Sequence, residues 1–255
     1  MRIAIITNAG ISSRFNEGIA EDMKVLKCLY TEGGSEDTLL YHLMKKCAYA
    51  DRIILVGGYQ YEALNAFYQK QLRNEFPDVT FVENRHYADL GSGYSLSLGI
   101  QAAMSFAPDE VLFVEGDLDM DDASFRKVVD AEKAVLTYTS EPIYSNKAVV
   151  LYQDQQRRYR YAFNGEHGLL RIDEPFSCIL NSGQVWKFKD PCVLEQANAE
   201  FLQNEKDGSN LRIIQRYFDA VAVEDVTLIH LLRWTNCNTR ADYQKIRNGW
   251  EAEIG

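Results

Sequence analysis

Apolar positions in the first half of the chain alternate between two rhythms. Four short, mostly β-branched runs, Ile3–Ile6, Ile53–Val56, Val79–Val82 and Val111–Val114, are bounded by turn formers and predict buried strands. Between them, Leu39, Leu40, Leu43, Met44 and Cys47 fall at helical spacing over Thr38 to Ala48. Two more helices are expected over Glu62 to Asn74 and Tyr94 to Ser105. Strands alternating with helices imply an α/β fold, a Rossmann-like and mainly parallel sheet with helices on both faces. Such crossovers are right-handed, so a ligand belongs at the carboxyl ends of the strands.

The second half changes character. Ala134–Thr139, Ala148–Gln153, Tyr159–Phe163 and Leu169–Ile172 are short strand-like runs, and the charged stretch Arg157 to Arg160 reads as an exposed hairpin. Helical stretches follow over Val193 to Gln203 and Leu211 to Tyr217, then a strand-like run, Asp225–Leu232, and a final helix from Arg240. With no repeat and no linker, the expectation is a single domain with a strand-rich insertion or lid in its second half.

Composition narrows the class. A hydrophobic content of 46% with 25% charged residues is that of a globular protein, and no apolar run approaches the ~18 residues of a membrane span. The amino terminus enters a strand directly, so no membrane insertion and a cytoplasmic location are expected. A net charge of −10 argues against a nucleic-acid partner. The five cysteines are odd in number and include no C-x-x-C pair, which indicates neither a disulfide framework nor a zinc site.

Candidate chemistry gathers at the predicted strand ends. After the first strand comes a small-residue turn, Asn8, Ala9 and Gly10, then Ser12, Ser13 and Arg14, and later Lys27. Small residues let a ligand approach the backbone, exposed amides bind anions, and two cations add to that, which suits a polyphosphate. Neither of the common phosphate-loop patterns is present. The alternative is an ordinary first strand with two solvated charges. At the fourth strand end, Glu115-Gly116-Asp117 offers a carboxylate suited to Mg²⁺, a hard cation that takes oxygen ligands. Asp119, Asp121 and Asp122 extend the acidity, and these also read as a loop capping a helix near Ser124, with Asp122 or Ser124 as the cap. Gly91, Gly93 and Ser95 lie in a turn that receives a base or ribose, or that merely eases entry into the next helix.

In that order, with Asn236-Cys237-Asn238-Thr239 and Asp242 near the end, the chain resembles the sugar-phosphate-type nucleotidyltransferases. It is most similar to their small cytidylyltransferase branch, which includes bacterial phosphocholine cytidylyltransferases. Against the family's L-A-A-G-x-G-x-R, Gly10 and Arg14 match, while Asn8 replaces an alanine and Ser12 a glycine. Lys27 stands for the lysine of the family's P-K pair, with Leu26 in place of proline. Asp117 matches the metal-binding aspartate of G-D. Asn236-Cys237-Asn238 stands where the phosphocholine enzymes have an acidic E-I-D.

The resemblance implies Mg²⁺ as cofactor, held by Asp117 and Asn238, and CTP or another nucleoside triphosphate as substrate. Arg14 and Lys27 would be the catalytic cations. Asn8, Ala9, Gly10, Ser12, Ser13, Gly91, Gly93 and Ser95 would bind the nucleotide. The acceptor would be a small phosphate or phosphonate, with pyrophosphate released. Residues 1–130 would form the nucleotide-binding half and 131–255 the acceptor-binding half of one nucleotidyltransferase domain. For the acceptor, Glu166, His167, Asn181 and Trp186 are candidates: Glu166 could pair with an ammonium group, and Trp186 or Tyr161 could offer a cation–π face. Core packing explains Trp186 equally well. Two rivals stay open, a nucleotide-sugar glycosyltransferase using Asp117-x-Asp119 and a non-catalytic nucleotide-binding domain.

Overall fold

The computed structural model describes residues 1–144, 149–163 and 170–254. The first half runs β1 (Arg2–Asn8), α1 (Leu39–Cys47), β2 (Arg52–Gly57), α2 (Tyr61–Phe67), β3 (Val79–Glu83), α3 (Ser92–Met104) and β4 (Glu110–Glu115). Then come β5 (Leu118–Met120), α4 (Asp122–Asp130), β6 (Ala134–Thr139), β7 (Val150–Asp154), β8 (Tyr159–Tyr161), β9 (Phe176–Ser182) and β10 (Val185–Phe188). The chain ends with α5 (Pro191–Asn204), α6 (Asn210–Ala220), β11 (Val226–Leu231), β12 (Trp234–Asn236) and α7 (Arg240–Ile254). Among the described residues, no helix is long and apolar enough to cross a membrane.

Ten of these strands form one sheet. Its first part, β3-β2-β1-β4, is parallel throughout, as the alternating pattern predicts. β10 then joins β4 antiparallel, and β6 meets β10 and β9 antiparallel while carrying β11 in parallel along its length. The strand-rich segment therefore extends the sheet, through β9, β7 and β8. The charged stretch does form the β7–β8 hairpin, with Arg157 in the left-handed region at φ 66°.

Alternation along β1 builds two cores. Ala4 and Ile6 face one side, with α1 and Leu118 and Met120, and Ile3 and Ile5 face the other, with α3, α5 and α6. All five apolar residues of the predicted stripe on α1 are buried, and Thr38 caps that helix by accepting from the Tyr41 amide. Helices thus cover both faces, and burying apolar area on both is what stabilises a parallel sheet.

Three local expectations need correction. Leu170–Ile172, the described part of the run from 169, is not a strand. β9, β10 and the β5–β12 ribbon were not foreseen, since short runs broken by polar residues carry no clear period. The cap of α4 is Asp121, whose carboxylate accepts from the Ser124 amide at 2.7 Å. Neither Asp122 nor Ser124 takes that place, and the Ser124 hydroxyl instead accepts from the Leu232 amide at 3.1 Å.

Candidate active site

Two cavities open at the carboxyl end of the parallel strands. One, of about 290 Å³, lies over the first turn, Lys27 and the turn before α3. The other, of about 750 Å³, lies between Arg14, the segment from Glu141 and the β12–α7 region. Glu115 and Asp117 line both. Two ligands bound side by side would meet at these carboxylates.

The first turn borders the smaller cavity and is tied to the segment that carries Lys27. Ala9, Gly10 and Ser12 line the smaller cavity. Ser12 stands at φ 59°, a left-handed conformation that favours glycine, where the resembled family has one. Its hydroxyl accepts from the Lys27 amide at 3.2 Å, which ties the turn to the segment carrying the lysine. Asn16 completes the tie: its carboxamide donates to the Ser12 and Val25 carbonyls and accepts from the Val25 amide. Sequence reasoning missed Asn16, whose only signal was a buried-capable amide beside a turn. Ser13 lines neither cavity.

Lys27 and Asp117 meet directly, Nζ to Oδ2 at 2.5 Å, with each side chain 18% exposed. Arg14 points elsewhere, into the larger cavity, and donates to Asn238 Oδ1 at 2.7 Å. Before α3, Asn84 donates to the Ser95 hydroxyl at 2.9 Å and accepts from the His86 amide, which shapes the turn. Gly91 and Ser95 line the cavity with Tyr87 and Leu90. Gly93 does not. A Cβ there would strike Phe201 and the Gly208 carbonyl, and its own amide donates to that carbonyl at 3.1 Å. Gly93 is needed for close packing of helix on loop, not for contact with a ligand.

A residue unforeseen from the sequence is Asn210, at the start of α6. Its Nδ2 donates to Glu115 Oε1 at 2.6 Å. Burial, reinforced by the neighbouring charge of Asp117, raises the Glu115 carboxyl to about 7, against the pull of Asn210 and Lys27. Nothing near Asn210 in the sequence marks it, because its partner lies 95 residues away.

A divalent cation fits here on two orphaned atoms. Asp117 Oδ1 and Asn236 Oδ1 are both buried without a hydrogen-bond donor. An unpaired buried oxygen is costly, and a hard cation satisfies several at once. The Cys237 amide donates to the Asp117 main-chain carbonyl at 2.7 Å, which ties the end of β12 to Asp117, and Asn236 and Asp117 both line the larger cavity. Asn238 Oδ1 is occupied by Arg14, so of the two asparagines Asn236 carries the free oxygen. Among the described residues, no three His, Cys, Asp or Glu side chains gather as a ready metal cluster.

Asp119 belongs to the scaffold. It is 1% exposed, lies in β5, accepts from Trp250 Nε1 at 2.8 Å and pairs with Arg233. Burial raises its pKa in spite of Arg233. Because it lines neither cavity, the Asp117-x-Asp119 pair is split between site and core.

On the acceptor side, Asn181 lines the larger cavity, with Glu141, Gln184 and Lys245. Trp186 requires correction. It is fully buried, stacked on Phe113 with ring centroids 5.1 Å apart, and donates from Nε1 to Tyr161 at 2.6 Å. Alternation in β10 turns it into the core, and Tyr161 is buried with it. The aromatic residues at the cavity are Trp234 and Tyr144. Glu166 and His167 lie outside the described residues.

Comparison with solved structures places this fold among the nucleotidyltransferases. The inositol-1-phosphate CTP transferase of T. maritima superposes with a TM-score of 0.66 at 18% identity, covering 98% of this chain and 97% of that one. CTP:phosphocholine cytidylyltransferase of Streptococcus pneumoniae gives 0.65 at 15% identity, covering 98% and 100%. A Bacillus anthracis protein ascribed glucose-1-phosphate thymidylyltransferase activity gives 0.68 at 15% identity, covering 97% and 94%. No curated protein matches by sequence. A family model described as "Domain of unknown function (DUF6564)" matches residues 23–250, and the chain belongs to that family, built on a nucleotidyltransferase fold.

Proposed function

We propose that this chain is a magnesium-dependent nucleotidyltransferase, with CTP the preferred donor, that joins a nucleoside monophosphate to a small phosphate or phosphonate acceptor. The observation that carries the reading is the meeting of two cavities at Glu115 and Asp117, beside a lysine already within reach of the carboxylate. The smaller cavity takes the nucleoside triphosphate, with Gly10, Ser12 and Lys27 at the phosphates. The larger takes the acceptor, with Arg14 at its phosphate. Similarity to CTP transferases supports cytidine over other bases.

The acceptor oxygen attacks the α-phosphorus in line, a new P–O bond forms, and the bond to the β-phosphate breaks as pyrophosphate leaves with the electron pair. A phosphate acceptor is already ionised near neutral pH, so no protein base is required. Lys27 neutralises charge on the α-phosphate and the leaving group, and Arg14 orients the acceptor. Such catalysis is positioning and charge stabilisation rather than covalent work. Asp117 and the Asn236 carboxamide would hold Mg²⁺, which when bound offsets phosphate charge. The glycosyltransferase reading needs both aspartates at the ligand, and Asp119 lies in the core.

The test is a screen of the four ribonucleoside triphosphates against a panel of small phosphates and phosphonates, read by pyrophosphate release. Acceptor-dependent release, greatest with CTP, is expected. Nucleotide binding without release for any acceptor identifies a non-catalytic binding domain instead.

A further inference from the structure

Arg240 opens α7 and is half-buried. Its Nε is buried without a hydrogen-bond partner, and among the described residues no carboxylate pairs with it. The guanidinium lies instead over two rings, 3.9 Å from the centroid of Tyr30 and 4.9 Å from that of Phe15. Taking a charge out of water is costly, and an apolar side chain would fill the same space without that cost. What the guanidinium adds is a flat, charged plate attracted to both rings at once.

Those rings belong to the segments that carry the two candidate cations. Phe15 follows Arg14 and is 2% exposed, and the Tyr30 amide donates to the Lys27 carbonyl at 3.3 Å. The two segments are joined to each other without Arg240, through Ser12 and Asn16. Arg240 joins both of them to α7. Just before that helix, Asn236, Asn238 and Thr239 line the larger cavity with Arg14. Asp242 accepts from the Asn238 and Thr239 amides at 3.0 and 2.8 Å, so the start of α7 keeps its own shape. The turn and the helix start are therefore held together twice. One hold is the bond from Arg14 to Asn238, for which an acceptor's phosphate would compete. The other is the guanidinium over Phe15, and neither of these residues lines either cavity.

Resting on the nucleotidyltransferase reading, we propose that Arg240 is a positioning residue: it fixes the turn that carries Arg14 against the start of α7, and so sets Arg14 on the acceptor's phosphate. The nucleotide side is outside its reach, because Ser12 and Asn16 hold the Lys27 segment to the first turn without it. Loss of Arg240 therefore falls on the acceptor and spares the nucleotide. The fold survives that loss, since Tyr243 keeps Tyr30 on α7 with ring centroids 4.8 Å apart.

The test is steady-state pyrophosphate release with the nucleoside triphosphate and acceptor that the screen selects. Arg240→Met keeps an unbranched side chain and removes its charge. Its acceptor KM should rise ~10-fold while its nucleotide KM stays within ~2-fold, a modest misplacement of one binding group. Arg240→Lys, which restores the charge without the plane, should recover part of the loss. In an Arg14→Ala background, adding Arg240→Met should change the acceptor KM by less than ~2-fold, because the group it positions is gone. An unchanged acceptor KM in Arg240→Met, an equal rise for both substrates, or full multiplication of the two effects in the double variant overturns the proposal and leaves the nucleotidyltransferase reading intact. Should Arg240→Met melt below the assay temperature, Arg240→Lys carries the same comparison, with a smaller rise in acceptor KM expected and no rise overturning the proposal. No pyrophosphate release by the unaltered protein with any acceptor overturns both.

Discussion

Lys27 Nζ lies 2.5 Å from Asp117 Oδ2, so the lysine proposed for the phosphates and the carboxylate proposed for the metal neutralise each other in the ligand-free protein. Loading must exchange one pair for two: lysine with phosphate, and carboxylate with cation. Both side chains are mostly shielded, so the exchange is between interactions of similar strength rather than a gain from solvent. This makes the effect of Lys27→Ala two-sided. Turnover should drop by about 10²–10³, the usual loss for one preorganised electrostatic contact. Divalent binding without nucleotide should tighten, because Asp117 loses its internal partner. Pyrophosphate release and Mn²⁺ titration by electron paramagnetic resonance read the two effects. Near-normal turnover would sink the mechanism.

Asp117→Asn and Asp119→Asn should separate chemistry from scaffold. Asp117 lines both cavities, so its neutral isostere should lose divalent binding and orders of magnitude of turnover, with the fold retained although Lys27 loses its ion-pair partner. Asp119 is buried against Trp250 and Arg233. Its replacement removes the buried charge that pairs with Arg233 and weakens the acceptor for Trp250. The cost is about 3 kcal/mol, at the lower end for a broken buried pair because the Arg233 side chain is 29% exposed. Thermal denaturation alongside pyrophosphate release distinguishes the two. An active Asp117→Asn with a dead but stable Asp119→Asn would favour a glycosyltransferase-type centre.

Much of this was legible in the chain because local rules act over a few residues. The run Ile3–Ile6, the stripe on α1 and the carboxylate at the end of β4 each follow from period or position, and the structure has them there. What escaped was set by distant partners. Asn210 reaches Glu115 across 95 residues, and Asp119 belongs to the core only because α7 returns Trp250 to it. Trp186 and Trp234 could not be sorted by type, since both sit in short strands whose facing depends on which neighbours pair. The β5–β12 ribbon, three residues on each side, is too short to announce itself.

His42 gives a pH dependence of stability remote from the site. It stacks on Trp250 with ring centroids 3.6 Å apart. Burial, with Lys46 and Lys45 on its own helix, lowers its pKa to about 4, and Asp122 from α4 offsets them only weakly. An unfolded histidine titrates near ~6.5. Between these values the unfolded state binds more protons, so stability is full above ~6.5 and declines as the pH falls toward 4. The loss from this group is at most about 3 kcal/mol. His42→Phe keeps an aromatic on Trp250 and should flatten the stability profile over that interval. Urea denaturation at several pH values, comparing the two proteins, isolates the term from the carboxylates. Parallel profiles would remove His42 from the account.

The last prediction uses two tryptophans as internal controls for the acceptor cavity. Trp186 is fully buried between Phe113 and Tyr161, with no surface toward a ligand. Trp186→Ala should cost about 3–5 kcal/mol of stability, as for other large core truncations, and should not select among acceptors. Trp234 is partly buried, lines the larger cavity that Glu141 also lines, and is anchored by Nε1 donating to the Gly183 carbonyl at 2.8 Å. An aromatic face near a carboxylate favours an acceptor with an ammonium group, and a desolvated cation–π contact contributes about 2 kcal/mol. Trp234→Ala should therefore raise KM about 30-fold for an ammonium-bearing phosphate and much less for an uncharged analogue, with CTP affinity unchanged. Trp234→Phe should recover most of that loss, since the ring remains while the anchoring hydrogen bond goes. Steady-state kinetics with an ammonium-bearing and an uncharged acceptor decide it. Equal KM changes for both acceptors would mean that Trp234 only shapes the cavity and that the acceptor's charge is read elsewhere.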